Sequence, residues 1–164
     1  MKELTYNGKV LCKLQAQLFY NFAQYCTCSP YIFIRRFLCS KVAQRFDNTE
    51  ILIENISLAG IVRELEEQYG ETKFGNPNRV DKEVLYWVGY IYRYWSFTRD
   101  IPSRVLVQKV QPDVLISRYP IYHTMDLDYA IDRIIEEEKI TFLDLRANKD
   151  ILQLIEEYME HFTK

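Results

Sequence analysis

Residues 81–98 read DKEVLYWVGYIYRYWSFT. Asp81 stands where a helix cap belongs. Val84, Val88, Ile91 and Trp95 then recur at intervals of four, three and four. Tyr86, Tyr90, Tyr94 and Phe97 recur at four, four and three. Each set marks one face of a single helix. A helix with two apolar stripes needs cover around most of its circumference. The segment therefore reads as the central helix of an all-α domain. Gly89 reads as the point where a neighbouring helix comes close.

The flanking sequence supplies that cover. Val10, Leu11, Leu14, Leu18, Phe22 and Tyr25 keep helical spacing and predict a helix from Lys9 to Tyr25. Ser29-Pro30 is a start signal, and a second helix is expected from Pro30 to Phe46, ended by Asp47-Asn48. Ser57 caps a third, which runs to Tyr69 and stops at Gly70. Glu71 to Asn78 reads as a loop. Pro102-Ser103 and Pro112 open two short helices, to Val110 and Arg118, and Pro120 is expected to interrupt the second. Asp126 caps a helix carrying Leu127, Ala130, Ile131 and Ile134 inward. Asn148 caps a last one, with Ile151, Leu152, Ile155 and Met159 inward. Ile51–Ile56 and Ile140–Leu145 are the only segments that read as extended. The expected architecture is one domain over residues 1–164, about seven helices around the aromatic one, with at most minor β content.

A chain of 164 residues buries enough surface to fold without a disulfide or a metal. No apolar run reaches membrane-spanning length and no leader is visible, so a cytoplasmic protein without a membrane partner is expected. Cys12, Cys26, Cys28 and Cys39 read as reduced thiols. Cys26-Thr27-Cys28 lacks the zinc spacing, and His123 and His161 are distant, so no metal is expected. Charge is lopsided. Residues 1–46 hold seven Lys/Arg against the single acid Glu3, and residues 126–164 hold eleven acids against five bases. The ends could pack on one another, or the basic end could face an acidic partner. A pI near 5.8 argues against nucleic acid as that partner.

Thirteen tyrosines suit either a core edge or a binding surface, because the ring buries while the hydroxyl reaches a polar group. Tyrosine and arginine together mark interface hot spots. Tyr90, Tyr92, Arg93, Tyr94, Phe97 and Arg99 are therefore candidates for partner binding, with Arg35 and Arg36 from the basic end. No G-x-S-x-G elbow is present. Gly70–Gly75 lacks both the spacing and the Lys-Ser/Thr ending of a phosphate loop. Glu136-Glu137-Glu138 reads as a solvated helix end. No cofactor is expected.

Arg118-Tyr119-Pro120-Ile121-Tyr122-His123 is similar to the R-x4-6-H signature of the all-helical HEPN ribonucleases. There the arginine holds phosphate charge and the histidine does acid–base work. Tyr119 stands where that family has a polar residue, and Pro120 interrupts the expected helix.

Four longer blocks carry a broader resemblance: YIFIRRFLCSKVAQRFDN at 31–48, ELEEQYG at 64–70, VLYWVGYIYRYWSFTRDIPS at 84–103 and YPIYHTMDLDYAIDRI at 119–134. Together they resemble a group of small bacterial proteins, mostly from Firmicutes, that look like antitoxin or accessory partners of toxin–antitoxin modules. The resemblance implies an intracellular role in binding, and neutralising, a partner protein. The expected function is a non-enzymatic module that sequesters or regulates a protein. The alternatives are a HEPN-like ribonuclease toxin using Arg118 and His123, and a phage-encoded inhibitor of a bacterial defence enzyme.

Overall fold

The computed structural model describes residues 1–49, 56–140 and 153, and in them the chain forms eight α-helices. The extended segments expected at Ile51–Ile56 and Ile140–Leu145 and the helix begun by Asn148 lie outside the described residues, save Ile56, Ile140 and Gln153. No helix among the described residues is long and apolar enough to cross a membrane.

Helix α1 (Tyr6–Asn21) starts three residues earlier than its apolar spacing suggests, because Thr5 caps it: the Thr5 hydroxyl accepts from Gly8 N at 3.1 Å. A single 3-10 turn, Phe22–Gln24, follows. The expected Pro30–Phe46 helix is two helices, α2 (Pro30–Leu38) and α3 (Lys41–Asp47). Ser40 makes the break. Its hydroxyl donates to Phe37 O at 2.6 Å and accepts from Ala43 N at 3.1 Å, so it ends one helix and caps the next. The resulting corner sets the Phe46 ring edge-on to Phe37 at 5.8 Å and carries Asp47 toward the interior. Ser40→Ala removes the cap at a buried site and is expected to cost about 1–2 kcal/mol, read as a lower urea midpoint with unchanged slope.

Ser57 caps α4 (Leu58–Tyr69), and Gly70 ends it at φ +77°, as the sequence indicates. Helix α5 (Lys82–Arg99) is the aromatic helix and holds the centre. Leu85, Val88, Ile91 and Trp95 are fully buried in the core that all eight helices share. Its main partner is α1, and Gly89 is the contact point. A Cβ there would lie 2.9 Å from Gln15 O, 2.9 Å from Phe19 Cγ and 3.0 Å from Ala16 Cα.

Three helices close the remaining sides: α6 (Ser103–Lys109), α7 (Pro112–Tyr122) and α8 (Leu127–Glu137). Asp126 caps α8 through bonds from Asp128 N and Tyr129 N. Pro120 does not interrupt α7. It sits in the last turn, exposed, and the helix runs through it to Tyr122. A proline near a C-terminus forfeits one backbone bond, and the packing of Leu115 and Tyr122 on the core holds the turn in place.

Candidate functional site

The second stripe of α5 lies on its least covered side. Tyr86, Tyr90, Tyr94 and Phe97 are all half-buried, whereas the residues of the first stripe beyond Val84 are enclosed. On the α1 side, the Tyr86 ring meets Tyr20 edge-on at 6.4 Å, and the Lys82 ammonium stands 5.7 Å from the Tyr20 ring. Lys9 and Lys13 are exposed on the same helix. On the α8 side, the Tyr94 hydroxyl donates to Asp128 Oδ2 at 2.9 Å. Arg99 pairs there with Asp132 at 2.7 Å. The result is a strip of phenol rings with ammonium groups along one edge and carboxylates along the other. At its far end Phe97 borders a cleft of about 310 Å³ that Asp47, Ser96, Asp100 and Lys2 also line.

Two expected members of this surface are not on it. Tyr92 is 1% exposed and its hydroxyl donates to Val110 O inside the core. Arg93 is 0% exposed. Its guanidinium is instead the centre of a polar network that ties four helices together. Nε donates to Gln15 Oε1 at 2.9 Å, Nη1 to Asp47 Oδ1, and Nη2 to Ser103 Oγ at 2.9 Å. Gln15 in turn donates to Gly89 O at 2.9 Å. Asp47 also accepts from Ser103 N at 2.9 Å, Ser103 Oγ at 2.6 Å and Ser96 Oγ at 3.2 Å. The Phe46 and Phe97 rings lie 5.4 and 5.3 Å from the guanidinium carbon. A buried charge is tolerated when it is paired and hydrogen-bonded. Here each of the three guanidinium nitrogens has an acceptor.

Arg36 is also committed to the fold, donating to Gly70 O at 2.8 Å and stacking over Tyr69. Arg35 is exposed on α2, away from the α5 strip in sequence and helix. Sequence reasoning read Asp47 and Ser103 only as helix-end residues and did not single out Gln15. The available signal was Arg93 itself, the sole charged residue between Glu83 and Arg99.

Arg118 and His123 are each held by other partners. Arg118 spans to α8, with Nε 2.8 Å from Glu137 and Nη2 3.0 Å from Glu138. His123 is exposed, its ring stacked on Tyr119 at 4.3 Å and its Nδ1 2.7 Å from Tyr119 O. An arginine neutralised by two carboxylates is a poor phosphate clamp. No family model, curated protein or solved structure matches this chain. The site therefore has to be read from its own chemistry.

None of the four cysteine thiols is activated. Burial pushes the Cys12 and Cys26 thiols up to about 12, and raises those of Cys28 and Cys39. Thiols raised in this way are held toward the protonated form near neutrality. Among the described residues no group of three or more His, Cys, Asp or Glu could hold a metal ion. Burial, with the bond to Asp128 and that carboxylate's charge, raises the Tyr94 phenol to about 12 as well. These folded values lie above the unfolded ones. The stability they contribute is complete below the ordinary thiol value of 9.0 and falls as pH climbs toward about 12. Urea midpoints between pH 8 and 12 are expected to decline steadily, and Tyr94→Phe to flatten the part above the ordinary phenol value of 10.0.

Proposed function

We propose that the protein is a non-enzymatic binding module that sequesters or regulates a partner protein, in the manner of the antitoxin-like proteins its sequence resembles. The observation that carries this reading is the half-buried Tyr86–Tyr90–Tyr94–Phe97 strip on a helix pinned by the buried Arg93 network directly beside it. Tyrosine gives large contact area with few rotors to freeze. A helix already fixed from within has little left to order on binding, so more of the contact energy appears as affinity. The lysine edge and the carboxylate edge set the direction in which a partner lies across the strip. The 310 Å³ cleft beside Phe97 has room for one inserted side chain.

The test is co-expression with the product of an adjacent gene, followed by purification of the complex. Tyr90→Ala is expected to weaken that complex at least about tenfold, or 1.4 kcal/mol, while the melting temperature of the free protein stays within about two degrees. Tyr90→Phe should retain most of the affinity. An RNA cleavage or growth arrest that His123→Ala or Arg118→Ala abolished would overturn the reading in favour of a ribonuclease.

A further inference from the structure

Helices α1 and α5 run antiparallel. Lys2 N donates to Thr98 O at 2.9 Å, Gln15 reaches Gly89 O, and the Tyr20 ring meets Tyr86. Along α1, Tyr6, Lys9, Lys13, Gln17 and Tyr20 recur at intervals of three, four, four and three, which is one helix face. Tyr6, Lys9, Lys13 and Gln17 are exposed and Tyr20 is half-buried. The Tyr20–Tyr86 contact fixes the side of the pair on which that face lies. It runs beside the Tyr86–Tyr90–Tyr94–Phe97 strip, so the two helices present one surface of phenols and lysines. Its charges are unequally matched. On the α8 edge Asp128 accepts from Tyr94 and Asp132 pairs with Arg99. On the α1 edge neither the Lys9 nor the Lys13 ammonium has a partner among the described residues. Glu83 stands on the first turn of α5, at the end away from both lysines.

We propose that an acidic amphipathic helix of the partner protein lies along the α1–α5 seam, its carboxylates on Lys9 and Lys13 and its apolar side chains on the Tyr86 and Tyr90 rings. Two packed helices leave a groove that a third can fill, with anchors recurring at each turn. Lys9 and Lys13 are four residues apart, about 6 Å along the axis, which matches two carboxylates one turn apart on a facing helix. Unmatched cations beside aromatic rings attract the complementary charge and steer it into register. A nucleic-acid strand fits less well, because its phosphates need cations along their whole track and the other edge here is Asp128 and Asp132. The acidic helix depends on the docking role proposed above and specifies what docks.

The experiment uses the full chain and the adjacent gene's product, with association followed by biolayer interferometry at about 50 and about 500 mM salt. Lys9→Glu and Lys13→Glu should each slow association at least about fivefold at the lower salt, and the gap should close at the higher. The melting temperature of the free chain should not move, because both positions are exposed. Lys73→Glu, on the exposed loop before α5, makes the same change in net charge and should leave the rate within about twofold. Carbodiimide joins an ammonium directly to a carboxylate with loss of water. It should link Lys9 and Lys13 to Asp or Glu side chains of the partner that lie one helical turn apart. A complex that ignores both reversals, or that loses as much from Lys73→Glu, would overturn the acidic helix and leave the docking role standing. No complex at all would overturn both. Oligouridylate binding that Lys9→Glu abolishes would put RNA in its place, and carbodiimide links only between copies of this chain would put a second copy there.

Discussion

Arg93→Met is expected to destabilise the protein by about 3–5 kcal/mol, the loss typical of a buried ion pair deprived of one partner. Methionine matches the length of the arginine stem and keeps contact with Phe46 and Phe97, so little of the loss comes from packing. What remains is an Asp47 carboxylate, 15% exposed, with its guanidinium gone, and a Gln15 amide oxygen without its donor. Against a total stability of about 5–15 kcal/mol this is a large fraction, and urea denaturation followed by circular dichroism measures it. Arg93→Lys should recover only part of the deficit, because an ammonium cannot meet Gln15, Asp47 and Ser103 in the plane the guanidinium occupies. A methionine variant as stable as the parent would mean that the network contributes nothing net.

The second large effect is expected at Gly89. On helix propensity alone Gly89→Ala should stabilise by about 1 kcal/mol. The packing opposes this and is the stronger effect. The new Cβ would lie 2.9 Å from Gln15 O and 3.0 Å from Ala16 Cα, which are backbone atoms of α1 and cannot swing aside. Helices α1 and α5 must separate by a few tenths of an ångström, which stretches the Gln15–Gly89 bond and loosens Phe19. A net loss of about 1–3 kcal/mol is expected, and Gly89→Val should exceed it. Gly70→Ala is the control. Nothing lies within 4 Å of its Cβ, so its cost comes only from the backbone at φ +77° and ψ 161°, a region open almost to glycine alone, and should be about 1–3 kcal/mol. Thermal unfolding of the three variants orders them, and a stabilising Gly89→Ala would refute the close-contact account.

Much of the architecture was legible because local signals and packing agree. Ser29-Pro30, Ser57, Gly70 and Asp126 sit at helix ends in the sequence and in the structure. Gly89 was readable because a glycine inside a strongly apolar helix has few other uses. Ser40 was not, since a serine in an apolar run gives no sign of whether its hydroxyl will turn back on the chain. Pro120 misled in the opposite direction, because a proline in the last turn costs little enough for the core contacts of Leu115 and Tyr122 to hold the helix. The site was half legible. The spacing found the tyrosine strip but assigned Tyr92 and Arg93 to it: Tyr92 is two residues from both Tyr90 and Tyr94 and so faces the other way, whereas Arg93, three from Tyr90 and four from Phe97, shares their side and is buried beneath the Phe97 ring. The Arg93 partners come from α1, α3 and α6, separated by up to 78 positions, and only the folded chain brings them together.

Phe97 belongs to two things at once. One side of its ring covers the Arg93 guanidinium, and the residue closes the end of the tyrosine strip. Pressure applied from outside is thereby passed inward through a single aromatic plate. A protein settling on the strip would hold that plate down and slow the opening of α3 and α6, so slower deuterium uptake at Asp47 and Ser103 would report occupancy of the strip.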